Sequence, residues 1–182
     1  MVTRRARGAA WLLAVLVTVL VTPAPADDRI TPFLGEFAGT AVVPGGEELS
    51  PRDTRVRISA GEKGFRVAWT VLIHRGDGET RRRDFEAEFR PSPREGIYRS
   101  AMRRNLFGQA VPFDPLAGDP YVWARIEGDT LSVFALLITE TGGYEMQVYD
   151  RTLVPEGLRL RYSRVRDGEI LRTATGLLRR IG

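Results

Sequence analysis

Closely spaced turn signals constrain this chain more than any other feature of its sequence. Glycine, proline and aspartate, the residues that favour tight turns, recur in short clusters after residue 50. The clusters are 61–64, 76–78, 91–96, 127–129, 142–143, 155–157 and 167–168. Between most of them lie strand-sized runs rich in β-branched and aromatic residues, with apolar side chains at alternate positions. Because Gly-Gly and Asp-Gly pairs are preferred in two-residue hairpin turns, the pattern predicts one antiparallel hairpin after another.

The alternating runs define the predicted strands. They are 33–43, 55–60, 65–74, 80–89, 97–103, 121–126, 131–139, 144–153, 158–165 and 170–179. We therefore predict an all-β chain, folded as an antiparallel up-and-down β-barrel of about 8–10 strands. Gly35 and Gly39 lie inside the first predicted strand, where glycine indicates a bulge or a tight bend at a barrel corner. The only helices expected are short ones, before Phe33 or within 105–120.

The first 26 residues have the pattern of an export signal. Three arginines within the first seven residues precede the uncharged apolar stretch 9–21, and the small-residue pattern Ala-Pro-Ala follows at 24–26. The apolar stretch is too short to span a bilayer core of about 30 Å. We expect residues 1–26 to be a cleaved signal peptide and 27–182 a single β-barrel domain that is periplasmic or secreted. A retained N-terminal anchor is the alternative.

Charge and composition exclude several classes of function. The formal charge of +4 falls to +1 when the three arginines of the signal leave, so no excess of basic charge points to nucleic acid. The chain has no cysteine and a single histidine, His74, which leaves no thiol nucleophile, catalytic triad or zinc site. We predict no catalytic residue, no metal ligand and no cofactor.

Three acidic residues alternate along the predicted strand 80–89: Asp84, Glu86 and Glu88. Paired carboxylates can act in acid–base chemistry, but alternation places these opposite Phe85 and Phe89, on the side expected to face solvent. We therefore predict cross-strand ion pairs instead. The candidate partners are Arg55, Arg57 and Arg99.

Several arginines share a strand face with aromatic residues. Arg81 and Arg83 lie on the same face as Phe85 in one predicted strand, and Arg125 lies on the same face as Trp123 in another. An arginine on an apolar face is costly unless it meets an anion, and the carboxylate or phosphate of an amphiphile would supply one. The alternatives are that these strand ends emerge into solvent, that Arg81 and Arg83 stack on aromatic rings at the mouth of the barrel, and that the aromatic residues fill a ligand-free core. The predicted ligand-binding residues are Trp69, Arg81, Arg83, Phe85, Phe89, Tyr121, Trp123, Arg125 and Tyr144.

Two further features predict a covered surface. The strand 131–138 is apolar on both sides, so we expect it to lie under a loop or at an interface. The one long connection, 105–120, carries apolar residues that need a surface to pack on. It is predicted either to cover a ligand or to act as a plug with no ligand beneath it.

Short motifs resemble those of the calycins, the lipocalin-like and fatty-acid-binding β-barrels. Residues 33–37 (Phe-Leu-Gly-Glu-Phe) resemble the Gly-x-Trp motif that opens the first strand of that family, with Phe37 in place of the tryptophan. Residues 141–144 resemble its Thr-Asp-Tyr segment without the aspartate. The resemblance implies an apolar cavity inside the barrel, and that Arg179 or Arg180 packs on the first-strand aromatic residue. It extends over residues 33–180.

Three functions remain open from the sequence. The first is an exported, non-catalytic β-barrel that binds a hydrophobic or amphiphilic small molecule. The second is a structural or protein-interaction domain of the cell envelope, and the third is a cofactor-free isomerase or cyclase that needs a carboxylate sharing a cavity with Tyr121 or Tyr144. Charged residues at 80–84 and 159–161 would interrupt a lipid-facing band, so no membrane span is expected after signal cleavage.

Overall fold

Strands account for most of the regular structure in the computed structural model, which describes residues 28–44, 50–74, 78–104, 110–111 and 113–182. The strands are β1 (Gly35–Val43), β2 (Ser50–Gly61), β3 (Gly64–His74), β4 (Thr80–Pro91), β5 (Ile97–Ser100), β6 (Arg103–Arg104), β7 (Ala110–Val111), β8 (Tyr121–Glu127), β9 (Thr130–Ile138), β10 (Tyr144–Val154), β11 (Gly157–Arg166) and β12 (Glu169–Arg180). Two 3-10 helices, Asp28–Phe33 and Pro115–Ala117, complete them. The predicted signal peptide 1–26 lies outside the described residues, as do positions 105–109 and 112 of the long connection. Among the residues that the structure describes, no helix is long and apolar enough to cross a membrane.

Ten of these strands form a closed antiparallel barrel in the order β1-β12-β11-β10-β9-β8-β5-β4-β3-β2. Each pairs with a barrel strand adjacent to it in the chain, and β1 closes the barrel by pairing with β12. The short strands β6 and β7 pair only with each other. The prediction of an all-β, antiparallel up-and-down barrel is confirmed.

The twofold periodicity of the strands places one face of each ribbon inside the barrel. In β2 and β3 the inward side chains of Val56, Ile58 and Val67 are fully or almost fully buried, while Arg55 and Arg66 on the other face are exposed. Burying one such aliphatic side chain stabilises the fold by about 2 kcal/mol. A one-residue slip of register would turn this face to water, so the hydrophobic pattern determines the register.

One end of the barrel, called here the closed end, is filled by large apolar side chains. Phe65 lies 5.1 Å from Phe89 and 4.9 Å from Tyr98, measured between ring centroids. The 3-10 helix Asp28–Phe33 lies before β1 and adds the buried side chains of Ile30 and Phe33 to this core. The closed end therefore holds a packed core.

Arg180 ties the last strand to the first at the closed end. Its guanidinium carbon lies 4.6 Å from the centroid of the Phe37 ring, which is fully buried. The same guanidinium donates hydrogen bonds to the backbone carbonyl oxygens of Leu34, at 2.6 Å, and Pro32, at 3.2 Å. Of the two arginines predicted to pack on the first-strand aromatic residue, Arg180 makes the contact.

Gly39 serves a close backbone approach. It pairs with Leu178 of β12 and Thr54 of β2 in an unbroken register, so the bulge predicted there is absent from this part of β1. A Cβ atom at this position would overlap the backbone carbonyl oxygen of Leu177. The register irregularity that the structure does contain lies between Arg164 and Val165 of β11, beside β12. Only glycine allows β1 and β12 to lie this close.

Candidate functional site

A cavity of about 350 Å³ occupies the end of the barrel opposite the packed core, called here the open end. Strands β1, β2, β3, β4, β10, β11 and β12 all contribute to its wall. Phe85 and the arginines Arg83 and Arg172 in this wall are exposed, so solvent reaches the cavity. Its aromatic lining consists of Trp69, Phe85, Tyr149 and Tyr162, and its arginines are Arg52, Arg83, Arg151, Arg164 and Arg172.

Arg151 and Trp69 meet across the interior at the base of this cavity. Arg151 projects from β10, with its guanidinium carbon 5.2 Å from the centroid of Trp69 on β3 and 5.7 Å from that of Tyr149. The Trp69 ring also stacks on Phe85, with 5.2 Å between centroids and 16° between the planes. A guanidinium between aromatic faces gains cation–π attraction, which is strongest where water is excluded. These contacts fix the orientation of the Arg151 side chain.

The charge of Arg151 has no carboxylate partner among the described residues. Only 1 % of the residue is exposed, and within the described residues its guanidinium donates one hydrogen bond, from Nη1 to the Tyr149 carbonyl oxygen at 3.4 Å. Its Nε atom is buried without a hydrogen-bond partner, as is Nε1 of Trp69. Burial lowers the pKa of Arg151 to about 10, which leaves it protonated at neutral pH. The base of the cavity thus presents a buried cation and two unused N–H donors.

A chain of hydrogen bonds runs from the cavity wall towards the open end along the inner face of β10. The Tyr149 hydroxyl donates to Gln147 Oε1 at 2.9 Å, and Gln147 Nε2 donates to Glu145 Oε1 at 2.8 Å. Glu145 Oε2 accepts from Arg164 at 2.6 Å and from Arg166 at 3.0 Å. The side chains of Tyr149, Gln147 and Glu145 are thus linked by hydrogen bonds, and the network fixes the orientation of the Tyr149 hydroxyl.

Glu145 makes the stability of the barrel depend on pH. The hydrogen bond from Arg164 is the main reason why its pKa falls from an ordinary 4.5 to about 2. Because the folded pKa is the lower one, the stabilisation is complete above about pH 4.5 and is lost as the pH falls towards 2. We expect Glu145→Gln to cost on the order of 2 kcal/mol at pH 7, allowing for solvent screening at the open end, and to flatten the acid limb.

Urea denaturation of the protein and of Glu145→Gln at pH 7 and pH 3 measures this difference. Glu62→Gln is the matched control, since Glu62 is exposed in the turn between β2 and β3. The control should unfold at the urea concentration of the wild-type protein at both values of pH. Equal acid limbs for the wild-type protein and Glu145→Gln would contradict the assignment.

Three further arginines face the cavity without an ion pair among the described residues: Arg52, Arg83 and Arg172. Arg52 Nε is buried and has no hydrogen-bond partner. Desolvation, followed by the positive charge of Arg172, lowers the pKa of Arg52. Arg172 lies directly opposite Arg164 in the register of β11 and β12, and like charges in that relation repel. The cavity therefore concentrates positive charge.

The structure brings together some of the residues predicted to bind a ligand. Trp69, Arg83 and Phe85 line the cavity. Arg81 follows the same inward alternation on β4 but is exposed beyond the cavity wall. Phe89 also points inward, yet it is fully buried in the packed core at the closed end. The central part of β4 thus supplies the site, and its two ends do not.

Four predicted residues lie on the outer surface of the barrel, which corrects their placement inside it. Tyr121, Trp123 and Arg125 alternate with Val122, Ala124 and Ile126, and the latter three face the core. The Trp123 ring stacks on Phe134 of β9, with 4.9 Å between centroids. Tyr144 is exposed and alternates with the buried, inward Glu145. Both strands have apolar residues on each face, so hydrophobicity alone does not decide which side is inward.

The sequence analysis missed the residues of β10 to β12 that line the cavity. They are Gln147, Tyr149, Arg151, Leu160, Tyr162, Arg164, Arg172 and Ala174. A usable signal lies in the turn 155–157, because Leu153 and Leu158 flank it and face the core in register with each other. Counting by two from Leu153 places Arg151, Tyr149 and Gln147 inside.

The acidic ladder and the histidine both lie on the outer surface. Asp84 pairs with Arg82, and Glu86 and Glu88 pair with Arg66. These arginines lie closer in the sheet than the predicted partners Arg55, Arg57 and Arg99. Glu88 also pairs with Arg90. His74 Nε2 lies 2.9 Å from Asp53 Oδ2. Across the described ranges no group of three potential ligands is placed to hold a metal ion.

Comparison of the sequence with family models and with curated proteins identified no relative of this chain. No protein-family model matches the chain, and no curated protein has a significantly similar sequence.

Proposed function

We propose that this protein binds a small amphiphilic molecule through an anionic group that enters the cavity of the barrel. The burial of Arg151 carries the proposal: a desolvated guanidinium without a carboxylate partner, beside the unused N–H of Trp69. An uncompensated buried charge is costly, and an anion reaching it gains charge-assisted hydrogen bonds. The aromatic wall of Phe85, Tyr149 and Tyr162 provides a surface for the apolar part.

The likeness to calycins supports the same function. The packing of Arg180 on Phe37 agrees with the contact that the sequence resemblance implied. In a barrel closed at one end, a ligand enters and leaves through the other. We infer from this likeness a lipocalin-like or fatty-acid-binding-like role, performed outside the cytoplasm by the exported chain.

The titratable groups of the cavity favour binding over acid–base catalysis. Burial raises the pKa values of Tyr149 and Tyr162, so both hydroxyls remain protonated. Glu145 is the carboxylate of this network, and a pKa of about 2 makes it a weak base. Tyr121 and Tyr144, which the isomerase or cyclase alternative placed in a cavity with a carboxylate, face outward.

Tryptophan fluorescence tests the proposal directly. Trp69 lines the cavity and Trp123 lies outside, so in the chain without residues 1–26, and hence without Trp11, a Trp123→Phe variant reports chiefly on the cavity. We expect dodecanoate to change the emission of this variant in a saturable manner. Trp69→Phe is the control, and its remaining Trp123 should not respond. A flat titration of the Trp123→Phe variant, together with native mass spectra showing no complex, would contradict the proposal.

The outer face of β8, β9 and β10 favours a second candidate, a docking surface for a protein of the cell envelope. The stacked pair Trp123 and Phe134 lies there, beside the exposed Tyr121 and Tyr144. A photo-crosslinking residue placed at 121 in the producing cell should capture one discrete partner, and the same residue at Arg159 on the outer face of β11 should not. Equal labelling at both positions would exclude this surface.

A further inference from the structure

The number of unpaired arginines in the cavity exceeds what one carboxylate neutralises. Arg52, Arg83, Arg151 and Arg172 all line it, and none forms an ion pair among the residues that the structure describes. Arg164 differs from them because Glu145 holds it at 2.6 Å. A ligand with one negative charge would satisfy Arg151 and leave the remaining three uncompensated. The charge of the site therefore matches a ligand that carries more than one anionic group.

Three of the unpaired arginines, Arg52, Arg151 and Arg172, occupy two levels of the cavity. In the register of the barrel wall, Arg151 on β10 lies level with Leu160 on β11 and Gly176 on β12. Arg172 lies four residues nearer the open end than Gly176 along the same strand. At about 3.3 Å per residue this separates the two backbone positions by about 13 Å along the strand. One level lies at the base of the cavity and the other at its opening.

Apolar and aromatic side chains occupy the wall between these levels. Tyr149 and Tyr162 lie opposite each other on β10 and β11, with 4.8 Å between ring centroids. Val71 and Ile73 form part of the wall on β3. Arg52, whose Nε is buried without a partner, lies four residues nearer the open end than Val56, the register partner of Trp69. Burial and the positive charge of Arg172 lower the pKa of Arg52, so Arg52 belongs to the outer level with Arg172. The cavity thus carries unpaired positive charge at its base and at its opening, and the wall between them is largely apolar, with the exposed Arg83 opposite Val71.

We propose that the ligand carries an anionic group at each end of an apolar middle, as an α,ω-dianion does. One end accepts hydrogen bonds from Arg151 and the Trp69 N–H, and the other lies between Arg52 and Arg172. This assignment rests on the proposed binding of an anionic amphiphile and adds a second charge at a fixed distance from the first. A single linear chain suits a cavity of about 350 Å³.

Calorimetric titration with three acids tests the second anionic group. Dodecanedioate has an extended chain of about the required length, dodecanoate lacks the second carboxylate, and hexanedioate has both carboxylates on a chain too short to join the levels. We expect dodecanedioate to bind at least about tenfold more tightly than dodecanoate, since each charge-assisted contact is worth about that factor or more. Hexanedioate should bind more weakly than dodecanedioate, which separates two-point binding from a general attraction of charge.

Variants of β12 locate the second subsite. In Arg172→Gln the advantage of dodecanedioate over dodecanoate should fall to about twofold, because the outer carboxylate then meets Arg52 alone. Arg179→Gln is the matched control, since Arg179 lies on the same strand but is exposed on the outer face. The Arg179→Gln variant should retain the wild-type ratio between the affinities for dodecanedioate and dodecanoate.

The outcomes distinguish failure of the dianion proposal from failure of the proposed function. If dodecanoate binds and dodecanedioate binds no more tightly, the ligand needs one anionic group, and the proposed function stands without this extension. If Arg172→Gln keeps the wild-type ratio, the outer subsite is wrong. If neither long-chain acid binds, by heat or by the emission of Trp69, both the proposed function and the dianion are overturned.

Discussion

Replacing Arg151 with methionine is expected to stabilise the empty protein and to abolish ligand binding. Removing a buried charge without a carboxylate partner, and filling its volume with an apolar side chain, should raise the free energy of unfolding by about 2 kcal/mol. The same substitution removes the donor at the base of the cavity, so the affinity for dodecanoate should fall about 100-fold. Urea denaturation measures the first effect and titration of the Trp69 emission the second.

The ligand should reverse this order of stability. At a dodecanoate concentration of about 100 times its dissociation constant, the wild-type protein gains about 2.7 kcal/mol, and Arg151→Met gains little. Arg159→Met is the matched control, because Arg159 is exposed on the outer face of the neighbouring strand β11. It should change neither stability nor affinity. A variant Arg151→Met that is less stable than the wild type and still binds dodecanoate would show that Arg151 serves the fold alone.

Gly39→Ala is expected to destabilise the barrel by about 3 kcal/mol or more. The added Cβ would overlap the carbonyl oxygen of Leu177, and backbone moves less readily than a side chain. Relief requires β1 and β12 to separate at the pairing that closes the barrel. Thermal unfolding followed by circular dichroism at the strand signal measures the loss.

Gly61→Ala provides the comparison for this substitution. Gly61 ends β2, and the nearest atom to a Cβ built there, in Gly64, lies 3.5 Å away, an ordinary contact. Its unfolding temperature should stay within about 2 °C of the wild type. Equal effects of the two substitutions would show that loss of glycine flexibility, and not the approach of β12, explains the result.

Strands and turns could be predicted from the sequence because both depend on local chemistry. The predicted strand 170–179 is observed as Glu169–Arg180, and 65–74 as Gly64–His74. The inward face of β3 was also predictable, since the residues from Phe65 to Ile73 alternate strongly in hydrophobicity. Where one face of a strand is clearly apolar, the twofold period of the strand and the polarity of its side chains both identify that face as the inward one.

The cavity could not be predicted in the same way because polar side chains in its wall point inward and apolar ones point outward, opposite to the usual pattern. On β10 the inward residues Gln147 and Arg151 are polar, and the outward Met146 and Val148 are apolar. On β8 the large Trp123 faces outward, while the smaller Ala124 fits fully buried among the aromatic residues of the core. Side-chain size and a solvent-filled interior decide these cases, and neither is visible in hydrophobic alternation.

The pairing of β1 with β12 has a consequence for the order of folding. The two strands that close the barrel lie at opposite ends of the described chain, as the contact of Phe37 with Arg180 illustrates. A growing polypeptide can pair β1 with β2 at once, but the other edge of β1 stays unpaired until β12 has been synthesised. Contacts this distant in the chain slow the search for the native state. The barrel of a nascent chain therefore stays open until β12 has been synthesised.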